Sequence, residues 1–142
     1  MPISIHRTIQ FAETDMAGVL HFSNYFRLME EVEHAFWRSI GLSVYMGGRE
    51  PDISWPRVAV ACEYRLPARF EDTIELRHRL THIGNRSVEH AVDFYRDGER
   101  IAGGTMKTVC CAMTPTGFRA ITIPAVVRDK LEPHLAADRT AG

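Results

Sequence analysis

Val88-Glu89-His90-Ala91-Val92-Asp93-Phe94-Tyr95-Arg96-Asp97-Gly98-Glu99-Arg100-Ile101 reads as two strands joined by a tight turn. Val88, His90, Val92 and Phe94 share one face at the two-residue period of a strand, and Asp97-Gly98 suits a two-residue hairpin turn. Pairing Arg96 with Glu99 sets Phe94 opposite Ile101, Val92 opposite Gly103 and His90 opposite Thr105. Working back, a three-residue turn at Gly84-Asn85-Arg86 joins this hairpin to a strand with Ile74, Leu76, His78, Leu80 and His82 on one face. Leu80 then faces His90 and Leu76 faces Phe94, so turns and hydrophobic pattern agree on one antiparallel register. Val58, Val60, Cys62, Tyr64 and Leu66 form an earlier strand, and the last strand offers Ile101, Thr105, Val109, Cys111 and Met113.

Upstream of this meander the period changes. Phe22, Tyr25, Phe26, Met29, Val32, Phe36 and Ile40 recur at three- and four-residue spacing, with Arg27, Glu31, His34 and Arg38 as a polar stripe. The spacing predicts one long amphipathic helix from about Ser23 to Ile40, capped by Ser23 or Asn24 and ended by Gly41. Ile3 to Phe11 reads as a first strand, and a loop with Gly47-Gly48 and Pro51 follows the helix. Thr114-Pro115-Thr116-Gly117 marks a turn, and Pro124 opens a short terminal helix that Pro133 interrupts. The expected fold class is α+β: one domain over 1–142, with an antiparallel sheet of about five strands wrapped around one helix. So small a domain has little room for a deep pocket of its own, and a homodimer or homotetramer is expected to complete the site.

Composition narrows the function. With 45% hydrophobic residues, 25% charged residues and a net charge of −1, nothing points to nucleic acid or an anionic membrane as a partner. Cys62, Cys110 and Cys111 are odd in number, lie in apolar runs and lack C-x-x-C spacing, which argues against disulfides and zinc and for a reducing, cytoplasmic setting. The N-terminal segment has no apolar signal region, and no run approaches the ~18 apolar residues of a membrane span.

Chemistry concentrates in Glu13-Thr14-Asp15-Met16-Ala17-Gly18-Val19-Leu20-His21-Phe22-Ser23-Asn24-Tyr25, between the first strand and the helix. Asp15 there precedes a helix whose first N–H groups have no intrahelical acceptor. A carboxylate beside such donors suits acyl transfer or hydrolysis, where one group attacks or activates water and others hold the carbonyl oxygen as it becomes negative. Asp also commonly orders turns, and spacing alone leaves both roles open.

Thr14, Asp15, Gly18 and Val19, followed by His21-Phe22 and then Tyr25 ten residues after the Asp, resemble the loop of the 4-hydroxybenzoyl-CoA thioesterase-like family. The order of strand, acidic loop, long helix and meander resembles the hot-dog fold of that family over nearly the whole chain. The resemblance implies hydrolysis of an acyl-CoA thioester, or of one on acyl carrier protein, at a site between subunits. Coenzyme A would enter only as part of the substrate, with no cofactor and no metal. Asp15 would be nucleophile or general base, and the backbone N–H of Phe22 would polarise the carbonyl. Glu30, fifteen residues after Asp15, would line the acyl pocket, with Tyr25 and His21 as further substrate contacts. Several family members carry Tyr or His where Phe22 stands, so a side-chain hydrogen bond to substrate is missing there and acyl specificity transfers least.

Other residues carry plainer readings. Glu31 and Glu33 read as the solvated side of the helix. His78, His82 and His90 share a predicted inward face, but cross-strand pairing sets them against Leu80 and Val92 rather than each other, so structural histidines are expected. Arg86 at a hairpin tip, or Arg65 and Arg69 at a strand end, could clamp CoA phosphates as forked donors, with Arg86 preferred for its position. Two other functions compete. A hot-dog dehydratase or hydratase needs a His paired with an acid on the central helix, and His21-Phe22-Ser23 lacks the proline of the corresponding loop. A non-catalytic acyl-CoA sensor usually carries a second domain, for which 142 residues leave no length.

Overall fold

The structure is a computed structural model that describes residues 2–46 and 52–135. The predicted Gly47-Gly48 and Pro51 loop lies outside the described residues. Strand β1 (Ile3–Thr8) leads through a 3-10 turn (Phe11–Glu13) and the acidic loop into helix α1 (Asn24–Ser39). Then come β2 (Ile53–Ser54), β3 (Arg57–Tyr64), β4 (Thr73–Ile83), β5 (Ser87–Arg96), β6 (Glu99–Val109), β7 (Cys111–Thr114), β8 (Gly117–Ala120) and helix α2 (Ala125–Leu131). Five strands form one antiparallel sheet in the order β1-β4-β5-β6-β3, and β2, β7 and β8 form a small second sheet. The α+β expectation of one long helix against a five-stranded sheet holds; the small sheet, built from strands of two to four residues, carries too few alternations to be read in advance.

Helix α1 lies on the sheet through Tyr25, Leu28, Met29, Val32, Phe36 and Trp37, all buried. Close approach depends on Gly104: a Cβ there would come within 2.6 Å of Met29 Cε and 2.8 Å of the Ala61 carbonyl. The predicted caps differ in detail. Neither Ser23 nor Asn24 caps the helix with its side chain; Ser23 Oγ bonds His21 Nδ1 and Asn24 Nδ2 donates to the Glu13 carbonyl, so both are spent on shaping the loop. Gly41 does close the helix, donating its N–H to the Arg38 carbonyl.

The meander forms with two one-residue corrections. Arg96 pairs with Glu99 around Asp97 and Gly98, both at positive φ, as the turn residues require. A bulge then shifts the pairing, so that Phe94 faces Ala102, Val92 faces Gly104 and His90 faces Met106, not Ile101, Gly103 and Thr105. The bulged Ile101 is fully buried, and its carbonyl accepts the N–H groups of Arg65 and Leu66, contacts no local pattern could announce. Between β4 and β5, Leu80 does face His90 and Leu76 faces Phe94. A bulge beyond Leu80 sets His82 opposite Glu89 and turns it to solvent. Proline behaves as predicted: α2 begins after Pro124, and a 3-10 turn replaces it at Glu132–His134.

Three interior residues depart from the sequence reading: Glu33 in its burial, and His78 and His90, structural as expected, in meeting each other. Glu33 is fully buried rather than solvated: Arg57 of β3 bonds its Oε1 and Trp37 Nε1 donates to its Oε2 at 3.0 Å. The cation that makes this burial tolerable lies 24 residues away in sequence. His78 and His90 meet directly, Nε2 to Nδ1 at 2.8 Å, although each faces an apolar residue across the strands. They are diagonal neighbours on one face, a contact that a count of directly opposed pairs omits.

Candidate active site

The loop that holds Asp15 is anchored at its base by charge. Arg7 of β1 donates to both oxygens of Glu13, at 2.9 and 2.6 Å, and to both oxygens of Glu31 on α1, each at 3.0 Å. That guanidinium holds the Glu13 carboxyl below its ordinary value. The Glu13 carbonyl in turn receives the His21 N–H at 2.9 Å and Asn24 Nδ2 at 2.8 Å, drawing both ends of the loop together. Inside it, Asp15 and Val19 pair through the Asp15 N–H at 2.9 Å, and Gly18 turns the chain at φ +80°.

Asp15 itself is exposed, with Oδ1 accepting from Ala17 N–H at 2.9 Å and Val19 N–H at 3.4 Å. Among the described residues Oδ2 has no hydrogen-bond partner, so the side chain both orders its turn and presents a free oxygen. The helix start is more occupied than the sequence implied. Asn24 and Tyr25 donate back to the His21 and Phe22 carbonyls, and Ser23 N–H donates to His21 Nδ1. The Phe22 N–H alone in this stretch has no acceptor among the described residues.

Asp15 and Phe22 border one cleft of about 270 Å3, floored by Leu20 and Tyr25 and walled by Tyr64 and Leu66. Tyr25 is 3% exposed and packs edge-on against Tyr64 at 4.7 Å, and burial raises its phenol pKa. Tyr64 is a participant that the sequence reading left as an ordinary strand residue. Its hydroxyl donates to the Phe22 carbonyl at 3.1 Å and so fixes the residue that carries the free N–H. The aromatic ending β3 just before Arg65-Leu66-Pro67 was the available signal. Arg65 also lines the cleft, and Arg96 holds the wall beyond it by donating to the Pro67 carbonyl and to Asp72.

The remaining candidates do not converge on this cleft within one chain. His21 stacks on the Phe22 ring at 4.5 Å, its Nδ1 taken by Ser23. Glu30 sits 3.6 Å from Arg57 in a separate groove with Phe26 and Val60. Arg86 lies in the β4–β5 turn, whereas the Asp15 loop bridges to Arg69 just before the start of β4. The 11 residues of β4, roughly 35 Å of extended chain, lie between Arg86 and the Asp15 loop of the same chain. Arg65, offered with Arg69 as an alternative to Arg86 for the CoA phosphates, lines the cleft beside Asp15.

The sequence profile of the thioesterase-like superfamily matches residues 9–131, which spans the acidic loop, the helix and the whole meander. The chain belongs to the thioesterase-like superfamily. Among relatives of this thioesterase-like protein, one of Aquifex aeolicus (strain VF5), provisionally named an esterase, is 31% identical over 93% of this chain and 99% of its own. A 1,4-dihydroxy-2-naphthoyl-CoA hydrolase of Synechococcus sp. (strain CC9605) is 31% identical over 92% of this chain and 89% of its own. The structure of a gentisyl-coenzyme A thioesterase superposes with a TM-score of 0.78 at 26% identity, covering 90% of this chain and 98% of that one. The sheet wrapped around a helix is thus the hot-dog fold. No helix among the described residues is long and apolar enough to cross a membrane.

Proposed function

We propose that this protein hydrolyses an acyl-CoA thioester to the free acid and CoA, at the cleft bordered by Asp15 and Phe22. The observation that carries the reading is the pairing, in one apolar cleft, of a carboxylate oxygen, Asp15 Oδ2, and a backbone N–H, that of Phe22, neither of which has a hydrogen-bond partner among the described residues. As general base, Asp15 takes a proton from water as the water oxygen bonds the carbonyl carbon; as nucleophile, its own oxygen forms that bond and water then cleaves the anhydride. In either course the carbonyl oxygen gains charge against the Phe22 N–H, the C–S bond breaks, and the thiolate leaves to be protonated. Both functions come from the chain itself, so the reaction needs no cofactor beyond the CoA of the substrate.

Relatives named for gentisyl-CoA and 1,4-dihydroxy-2-naphthoyl-CoA favour a compact aryl acyl group, and the aromatic walls Phe22, Tyr25 and Tyr64 suit a planar ring. Thiol release from aryl, short-chain and long-chain acyl-CoAs, with the same acyl groups on acyl carrier protein, tests this reading. Turnover is expected on the aryl-CoAs; a preference for long chains removes the aryl proposal, and no thiol release from any of them removes hydrolysis. The dehydratase alternative finds an acid and a histidine, Glu33 and His90, 4.0 Å apart, but both are fully buried and cannot meet a substrate.

The active form is a homo-oligomer in this reading, at least a dimer, working in the cytoplasm. Strand β3 ends the five-stranded sheet with one edge unpaired among the described residues, and it exposes Val58 at 58% and Val60 at 46%. A long apolar edge strand invites pairing with another chain. An antiparallel second β3 would set the Glu30–Arg57–Val60 groove of one subunit beside the Tyr64 end of the other, bringing Glu30 to the partner's cleft. Sedimentation at micromolar concentration is expected to report a dimer or tetramer, and Val60→Lys to dissociate it with loss of turnover. A fully active monomer contradicts the assignment.

A further inference from the structure

Of the four polar groups in the two peptides that flank Phe22, three have partners. The His21 carbonyl accepts the Asn24 N–H at 2.9 Å. The Phe22 carbonyl accepts the Tyr64 hydroxyl at 3.1 Å, and the Tyr25 N–H, its donor within the helix, only at 3.4 Å. The Ser23 N–H donates to His21 Nδ1 at 3.2 Å. The fourth group, the Phe22 N–H, has no acceptor among the described residues. The helix itself grips the Phe22 carbonyl loosely. Two side chains, one from the loop and one from β3, fix the Phe22–Ser23 peptide at its N–H and at its C=O.

We propose that His21 and Tyr64 are positioning residues, holding that peptide so that Phe22 aims its N–H at the substrate carbonyl; the assignment rests on the hydrolytic reading above. An N–H donor weakens steeply as it tilts off line, so its angle must be set before the carbonyl oxygen gains charge. His21 acts from outside the cleft, whose lining includes Phe22 and Tyr64 but not His21. Because a backbone N–H always carries its proton, Nδ1 must be bare to accept it, and the proton of the neutral ring sits on Nε2. Ser23 Oγ, 2.8 Å from Nδ1, can donate to the same atom. The imidazole thus accepts from the N–H two residues on, the place that an Asn side-chain oxygen takes in an Asx turn. Tyr64 divides its roles: the ring walls the cleft, and the hydroxyl is committed to Phe22.

Two His21 variants separate the ring from its acceptor. His21→Phe keeps a ring to stack on Phe22 and loses Nδ1, whereas His21→Asn loses the ring and keeps an acceptor at the same distance along the side chain. On one aryl-CoA, His21→Phe and Tyr64→Phe are each expected to lower kcat about tenfold with KM within about twofold, a part of the roughly 10²–10³-fold cost of removing such a donor outright. The carbonyl stretch of the same ester bound to Asp15→Asn protein reads the donor without turnover, and adding either Phe substitution should move that band to higher frequency. His21→Asn should recover most of both losses. A His21→Asn variant as slow as His21→Phe makes the imidazole a substrate contact and overturns the assignment. Phe variants with unchanged kcat, a loss carried by KM, or a band that stays in place while kcat falls overturn it equally. Wild-type protein that releases no thiol from any ester overturns the hydrolytic reading and the assignment with it, a result distinct from intact turnover that the variants leave unaltered.

Discussion

Asp15→Asn is expected to lower kcat by at least about two orders of magnitude while leaving the fold and its stability nearly unchanged. The exchange is close to isosteric, and the two roles of the carboxylate fall on different oxygens. Oδ1 orders the loop by accepting from Ala17 and Val19 N–H, and the Asn carbonyl oxygen accepts the same bonds. Oδ2, free among the described residues, becomes an amide nitrogen that neither attacks a carbonyl nor takes a proton from water. A turn-ordering Asp would therefore tolerate the change, and a catalytic one would not. Steady-state thiol release on the best aryl-CoA, beside a denaturant unfolding curve, separates the two. An Asn variant with near-normal kcat removes Asp15 from the chemistry.

Acid is expected to unfold this protein earlier than its carboxylates alone would dictate. His78 and His90 are buried against Phe36, α1 and each other, and burial pushes the His78 imidazole down to about 3, with Arg79 adding to the effect. His90 is also driven well below its ordinary value, first by burial and then by His78 and Arg57. In the unfolded chain both bind protons near pH 6.5, whereas the native protein keeps them neutral. The unfolded state thus binds more protons below that pH, and stability present above about 6.5 drains as pH falls toward 3. The slope is about 1.4 kcal/mol per pH unit for each histidine that titrates only on unfolding. Glu33 opposes this, since burial raises its carboxyl and the native state takes up that proton first, but one acid against two histidines leaves a net loss. Urea midpoints at fixed protein concentration should fall steadily from pH 7 to pH 5. A flat profile over that range would show that the pair is protonated, or open to water, in the native state.

The alternation of Val88, His90, Val92 and Phe94, the Asp97-Gly98 turn and the helical spacing from Tyr25 to Phe36 determine the class of fold by themselves, because each is a local pattern that a strand, turn or helix must obey. The acidic loop was legible for a similar reason: Asp15, Gly18 and Tyr25 lie within one short segment, and the segment alone brings Asp15 and Phe22 to a common cleft. What the tertiary structure decided was every relation carried across the sheet. The Ile101 bulge slips the β5–β6 register by one residue to serve the Arg65 and Leu66 N–H groups, and no pattern within β6 records that demand. Glu33 reads as a surface residue until Arg57, 24 positions away, folds over it. His78 meets His90 on a diagonal, Tyr64 reaches back 42 residues to hold Phe22, and Arg86 is set at the far end of β4 from the Asp15 loop of its own chain. Period and turn chemistry are properties of neighbouring residues and survive in one dimension; burial, pairing and the sharing of a cleft depend on which distant segments are packed together, and only the folded chain determines that.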